Sequence, residues 1–279
     1  DFPKRQKRDG YFESQEGEWD SNGQVLWLAD MLHRALGRRP EPDLLDSLYK
    51  GAEWIIGKRL SGTGDAKIEG LLPAGFSAEH LGPNDYYYWD DFWAAAGLRA
   101  VARMAEREED DERDQRYSAE AENLERAIFT SIATIPEHRS RGAIPASPNR
   151  RMDAGAIGSM VADYPLQVTG PGFDKIMNTA AFLMNESFHG GGFFQDMVHS
   201  GINVYLTLDL AQTLLRARNP RFRELMNAMA RLASPTGNWP EAVHPFSGGG
   251  CMGDGQHGWA AAEWVMLVRN MFVREEGEI

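Results

Sequence analysis

Apolar residues recur at a spacing near 3.6 along most of this 279-residue chain, a period that suits amphipathic helices and not half-buried strands. Read along the chain, it predicts helices at 22–36, 42–59, 87–106, 111–134, 151–163, 171–185, 196–217, 220–233 and 256–275. Pro and Gly punctuate the series at Gly37 to Pro42, Pro136 to Pro148, Pro165 to Pro171, Gly190 to Gly192, Asn219-Pro220 and Ser234 to Gly255. Alternating β-branched runs are nearly absent, so a central sheet is not expected. Connections alternate between tight turns such as Arg218-Asn219-Pro220 and long aromatic stretches, Leu60 to Tyr86 and Ser234 to Gly255. A ring of helical hairpins would gather the long loops on one face, and that face would carry the function. The short periods of common helical solenoids are missing.

Composition narrows the partners. With 42% hydrophobic residues the chain can bury a large core, and the regular helical series favours a single domain over 1–279. A net charge of -12 argues against a nucleic-acid partner, which needs clustered positive charge. The basic opening Lys4-Arg5-Gln6-Lys7-Arg8 reads as a solvated arm. Cys251 stands alone, so no intrachain disulfide can form, and the expectation is a reducing, cytoplasmic setting. No run approaches the roughly 18 apolar residues of a membrane span, and no membrane partner is expected. The chain opens with Asp, which would suit a processed or trimmed product.

Two loops concentrate chemistry. The first runs Gly75-Phe76-Ser77-Ala78-Glu79-His80-Leu81-Gly82-Pro83-Asn84-Asp85 into Tyr86-Tyr87-Tyr88-Trp89-Asp90-Asp91-Phe92-Trp93, where six aromatics and two acids crowd a helix start. These aromatics can stack on sugar rings or form a core stripe, with the acids favouring the helix dipole. The small face Ala94-Ala95-Ala96-Gly97 then lets the helix approach its neighbours closely. The second loop, Gly237-Asn238-Trp239-Pro240-Glu241-Ala242-Val243-His244-Pro245, continues through a Gly-rich stretch to Gln256-His257-Gly258-Trp259 at the last helix. Glu79 and Glu241 thus stand at the mouths of predicted helices amid aromatic platforms. Two acids so placed are what cleavage of a glycosidic bond requires.

The segment from Glu79 through Asp85 and Trp89 to Leu98-Arg99-Ala100 resembles the general-acid segment of glucoamylases and related inverting sugar phosphorylases. Pro240-Glu241 followed by Pro245, Ser247-Gly248 and Gly255-Gln256-His257-Gly258-Trp259-Ala260-Ala261 is similar to the glucoamylase general-base segment. Glu18-Trp19-Asp20-Ser21-Asn22-Gly23-Gln24-Val25-Leu26-Trp27 looks like the sugar-facing start of the fourth barrel helix there. His199-Ser200-Gly201-Ile202-Asn203-Val204-Tyr205-Leu206 resembles another inward-facing helix start of six-hairpin glycosidases. The resemblance implies an all-α (α/α)6 toroid of helical hairpins, of which 22–36 would be the fourth helix. The nine predicted helices would then be the fourth to the twelfth. Three would be missing at the N-terminus, and the missing part of a longer chain is a candidate partner.

By the same resemblance the chain would be an inverting glycoside hydrolase acting on α-linked glucosides or oligosaccharides, with Glu79 as general acid and Glu241 as general base. The scheme requires Glu79 to hold its proton near neutral pH, which Asp85, Asp90, Asp91 and aromatic burial could arrange. Trp19, Asp20, Trp89, Asp90, Asp91, Asn203, Trp239, His257 and Trp259 would bind the sugar. Asp90 is the rival acid, because Tyr87-Tyr88-Trp89-Asp90-Asp91-Phe92-Trp93 also looks like a trehalase segment in which the matching Asp grips the sugar. The alternatives are an inverting sugar phosphorylase, or a non-catalytic saccharide-binding or assembly protein keeping the barrel. No cofactor or metal is expected: the seven His show no zinc pairing, Asp20-Ser21-Asn22-Gly23 lacks the other ligands of a calcium loop, and no phosphate loop occurs. His189-Gly190-Gly191-Gly192 resembles an esterase oxyanion loop, but no nucleophile elbow accompanies it.

Overall fold

The computed structural model describes residues 2–77, 83–196 and 200–276. By its internal contacts the chain divides into two compact units, Asp1–Pro136 with Ser147–Arg150, and Glu137–Ala146 with Arg151–Ile279.

The first unit holds α1 (Asp20–Leu36), α2 (Pro42–Lys58), α3 (Tyr88–Arg107) and α4 (Asp111–Ala133). Local chemistry sets their ends. Pro42 opens α2 at a position whose N–H would have no helical partner. Gly37 closes α1 in the left-handed conformation, φ 61°, and returns its N–H to the Arg34 and His33 carbonyls. The Asp110 carboxylate caps α4 by accepting from the Arg113 N–H, so the acidic run 106–114 is the junction between α3 and α4.

Helix α3 packs on both α1 and α4, and its small face makes the approach to α1 possible. A Cβ on Gly23 would lie inside 3.0 Å of the Trp93 carbonyl, and one on Gly97 would come 2.8 Å from the Gly23 Cα. The backbones of the two helices therefore touch without side chains between them. Further along, the buried Asp30 carboxylate of α1 takes Arg103 at 2.7 Å and Arg107 at 2.6 Å from α3. Asn22 is buried too and engages both ends of its amide. It accepts from the Phe12 N–H and donates to the Gly10 and Gly51 carbonyls, tying the N-terminal segment and α2 to α1. Tyr87, Tyr88, Phe92, Leu98 and Met104 make the core of α3, each at most 1% exposed. Of the six aromatics in 86–93, several thus serve as core.

The second unit holds the short α5 (Glu137–Ser140), α6 (Asp174–Glu186), α7 (Val204–Arg216), α8 (Phe222–Leu232) and α9 (Gly258–Asn270). The helix expected at 151–163 is a 3-10 helix over Ala154–Ala162, buried at every position. Two glycines within it weaken any preference for the α form. No central sheet was expected, and the strands present are short, two to four residues each. Strands β1 (Phe188–His189), β2 (Gly192–Gln195), β3 (Gly201–Asn203), β4 (Ala242–Val243) and β5 (Gly250–Met252) form an antiparallel sheet in that order. The helix expected at 196–217 accordingly begins only at Val204, because Gly201–Asn203 pairs as a strand and the Asn203 side chain caps α7.

Candidate active site

In the first unit the expected site residues lie at the N-terminal ends of α1 and α3. Trp19 is the residue before α1 and Asp20 its first; Trp89, Asp90 and Asp91 fill the first turn of α3. The Asp20 carboxylate accepts the Trp89 indole N–H and the Gln24 amide, both at 2.7 Å on the same oxygen. Burial pushes the Asp20 pKa up to about 7; the Trp89 bond opposes that rise and the Glu18 charge adds to it. Asp91 is raised to about 7 by burial as well, against the pull of the Leu72 N–H at 2.8 Å and the Arg59 charge. Its hydrogen bond fastens the loop after α2 to α3. Asp90 is 1% exposed.

Glu79 lies outside the described residues; the residues to either side, up to Ser77 and from Pro83, are described. Gly75 and Asp85 exchange backbone hydrogen bonds of 2.9 and 3.1 Å, and the Phe76 N–H donates to the Gly17 carbonyl at 2.8 Å. Gly75 also has no room for a side chain, since a Cβ would lie inside 3.0 Å of the Trp19 indole Nε1 and the Gly17 oxygen. The Asp85 carboxylate accepts from Ser147 at 2.6 Å, Asn149 at 2.9 Å and the Tyr86 N–H at 2.8 Å. Asp85 therefore acts as the anchor of the loop's far end.

In the second unit Glu241 directly precedes β4 and is half-buried. This corrects the expectation that it stands at a helix mouth: α9 begins only at Gly258, after β4 and β5. The sheet brings it to helix ends all the same. Ala242 pairs with Asn203, whose side chain accepts from the Leu206 N–H to cap α7 and donates to Gln195. Gly253, at φ +73°, packs on Glu241 so closely that a Cβ would come 3.0 Å from the Glu241 Cβ. The Trp239 carbonyl takes the His257 N–H at 2.8 Å, and the Trp239 indole donates to the Met229 carbonyl at 2.9 Å. His257 is the residue before α9, and Tyr205 of α7 touches both the His257 ring (5.6 Å) and the Trp259 ring (5.1 Å). Trp259 is 55% exposed and free to offer its face.

The structure thus gathers Trp19, Asp20 and Trp89 in one unit and Asn203, Trp239, Glu241, His257 and Trp259 in the other. Sequence reasoning missed Tyr11, Trp54 and Lys58, which pack around Trp19; Tyr11 stacks on Trp54 at 4.4 Å, and the Lys58 ammonium sits 4.0 Å over the Trp19 ring. It also missed Tyr205. The position of Tyr205, in the first turn after the Asn203 cap, was the available signal; for Tyr11 nothing local pointed there.

No protein-family model matches the sequence, and no curated protein sequence matches it. Solved structures do match. A glycosidase shares 16% identity at a TM-score of 0.68, over 91% of this chain and 67% of its own. A bacterial glucoamylase solved with acarbose shares 18% at 0.65, over 91% and 40%. An α-mannosidase of Streptococcus pneumoniae, described as metal-independent and solved in a non-productive complex with α-1,6-mannobiose, shares 15% at 0.66, over 93% and 70%. These likenesses define the fold class, that of the (α/α)6 six-hairpin glycosidases. Within that class the fold is glucoamylase-like, and this chain spans two fifths of the bacterial glucoamylase's length.

Proposed function

We propose that the protein is an inverting glycoside hydrolase acting on α-linked glucosides or oligosaccharides, with Glu79 as general acid and Glu241 as general base. The observation that carries the reading is the setting of Glu241: a half-buried residue that follows Trp239 and Pro240 and precedes Ala242, where Ala242 pairs with the α7 cap Asn203 and the Trp239 carbonyl takes the N–H of His257 at the start of α9. The glucoamylase-like fold and the saccharides bound by two of its structural neighbours support it. In the inverting scheme the acid protonates the leaving glycosidic oxygen. The base takes a proton from water as that water attacks the anomeric carbon from the opposite face, through an oxocarbenium-like transition state. Trp19, Asp20, Trp89, Asp90, Asn203, Trp239, His257 and Trp259 serve binding, by stacking or hydrogen bonding to the sugar, whereas Asp91, expected beside them, is taken up by the Leu72 N–H in the core.

The test is sugar release from a panel of α- and β-linked disaccharides, with and without phosphate, for the protein and its Glu79→Gln and Glu241→Gln variants. Release of β-glucose from an α-linked substrate, independent of phosphate and reduced at least ~100-fold in either variant, is the expected result. Strict phosphate dependence would convert the reading to a phosphorylase, and saccharide binding without turnover in the longest natural form would reduce it to a binding protein.

A further inference from the structure

Two aromatic ladders meet at one carboxylate in the first unit. In the first, Trp19 leans on Tyr11 and Trp54 at 5.9 and 6.0 Å while those two stack on each other. In the second, Trp89, Trp93 and Trp27 run edge to face at 5.8 and 5.6 Å. Asp20 follows Trp19 in the chain and accepts the Trp89 indole N–H at 2.7 Å, so a single hydrogen bond rivets the ladders together. Asp20 is 6% exposed, too buried to be an ordinary surface contact. A charged acceptor makes such a bond about twice as strong as a neutral one, so its protonation state decides how firmly the indole is held.

We propose that Asp20 is a positioning residue: ionised, it holds the Trp89 indole and with it the start of α3 against the start of α1, and on taking up a proton it relaxes that grip. The charged and titratable groups around it are Glu18 on the preceding loop and Tyr11 of the N-terminal segment, whose hydroxyl also feels Asp90 of α3, with Lys58 of α2 over the Trp19 ring. Burial, with Glu18 adding its charge, places the exchange near 7. As pH falls through that value the ladders loosen, and the platforms that Trp19 and Trp89 offer a sugar lose definition. The effect on turnover rests on the hydrolase reading; the Asp20–Trp89 link does not.

The experiment tracks the indole N–H resonance of Trp89 in 15N-labelled protein from pH 5 to 9, assigned with Trp89→Phe. The expected result is a titration with its midpoint near 7, absent in Asp20→Asn, which should sit at the acid limit because its neutral amide oxygen accepts the same bond. Glu18→Gln should keep the titration and move the midpoint down, since a like charge is removed; this variant decides the matter if Asp20→Asn does not fold. A flat Trp89 signal in the unmodified protein, an unchanged titration in Asp20→Asn, or a midpoint that Glu18→Gln leaves in place or raises would overturn the proposal. Kinetics separate it from the reading beneath: KM should rise several-fold below the midpoint with a smaller change in kcat. A titrating Trp89 in a longest natural form without turnover would leave Asp20 in its role and sink the hydrolase.

Discussion

Gly75 shows how much a missing side chain can matter. A Cβ there would press on the Trp19 indole and the Gly17 carbonyl, so Gly75→Ala must move either a backbone segment or a packed indole. Overpacking of that kind costs about 1–3 kcal/mol, and a urea midpoint lowered by that amount is the expected measurement. Asp91 makes the complementary case, a charge held where water is excluded. Its carboxyl is raised from 3.8 to about 7, so the native state binds a proton there that the unfolded chain releases. The stability this contributes is fully present below about 3.8 and is lost as pH climbs to about 7. Asp91→Asn keeps an acceptor for the Leu72 N–H and removes the charge. Its stability relative to the unmodified protein should therefore improve as pH rises from 5 to 8, by up to a few kcal/mol, as read from urea melts at both values.

Among the elements, the helices of the first unit could be placed from sequence to within two residues at each end, because long periodic segments with Pro and Gly boundaries leave few alternatives. The second unit was read less well for a physical reason. Its strands are two to four residues long, too short for alternation to register, and their apolar residues merge with the neighbouring helical pattern. The cap at Asn203 was the missed boundary: an Asn whose side chain takes the Leu206 N–H ends any helix that seems to run through it. Asn203→Ala removes that cap and the Gln195 bond together, and should cost about 1–2 kcal/mol, seen as a lower Tm. The site was partly readable as well. Trp19, Asp20 and Trp89 lie together at the starts of α1 and α3, whereas Glu241 is set beside the Asn203 cap of α7 by a strand pairing, Ala242 with Asn203, that the sequence did not announce.

For the molecule as a whole, burial raises the carboxyls of Asp20, Asp91 and Asp163, the last to about 6 despite its ion pair with Arg216. Arg216 itself is 3% exposed. Arg216→Met should leave Asp163 without its counter-charge and lower stability by about 3–5 kcal/mol at pH 8. Because the abandoned carboxyl can take a proton, the loss should be smaller at pH 5. Equal losses at both values, measured by chemical denaturation, would mean that the pair is not felt energetically. The Gly75–Asp85 bridge has a bearing on adaptability. With one end held by Gly17 and the other by Ser147 and Asn149, the neighbours of Glu79 in the sequence can be varied while both anchors stay as they are. Variants that keep Glu79 and change the residues beside it should retune substrate preference without redesigning the scaffold that carries them.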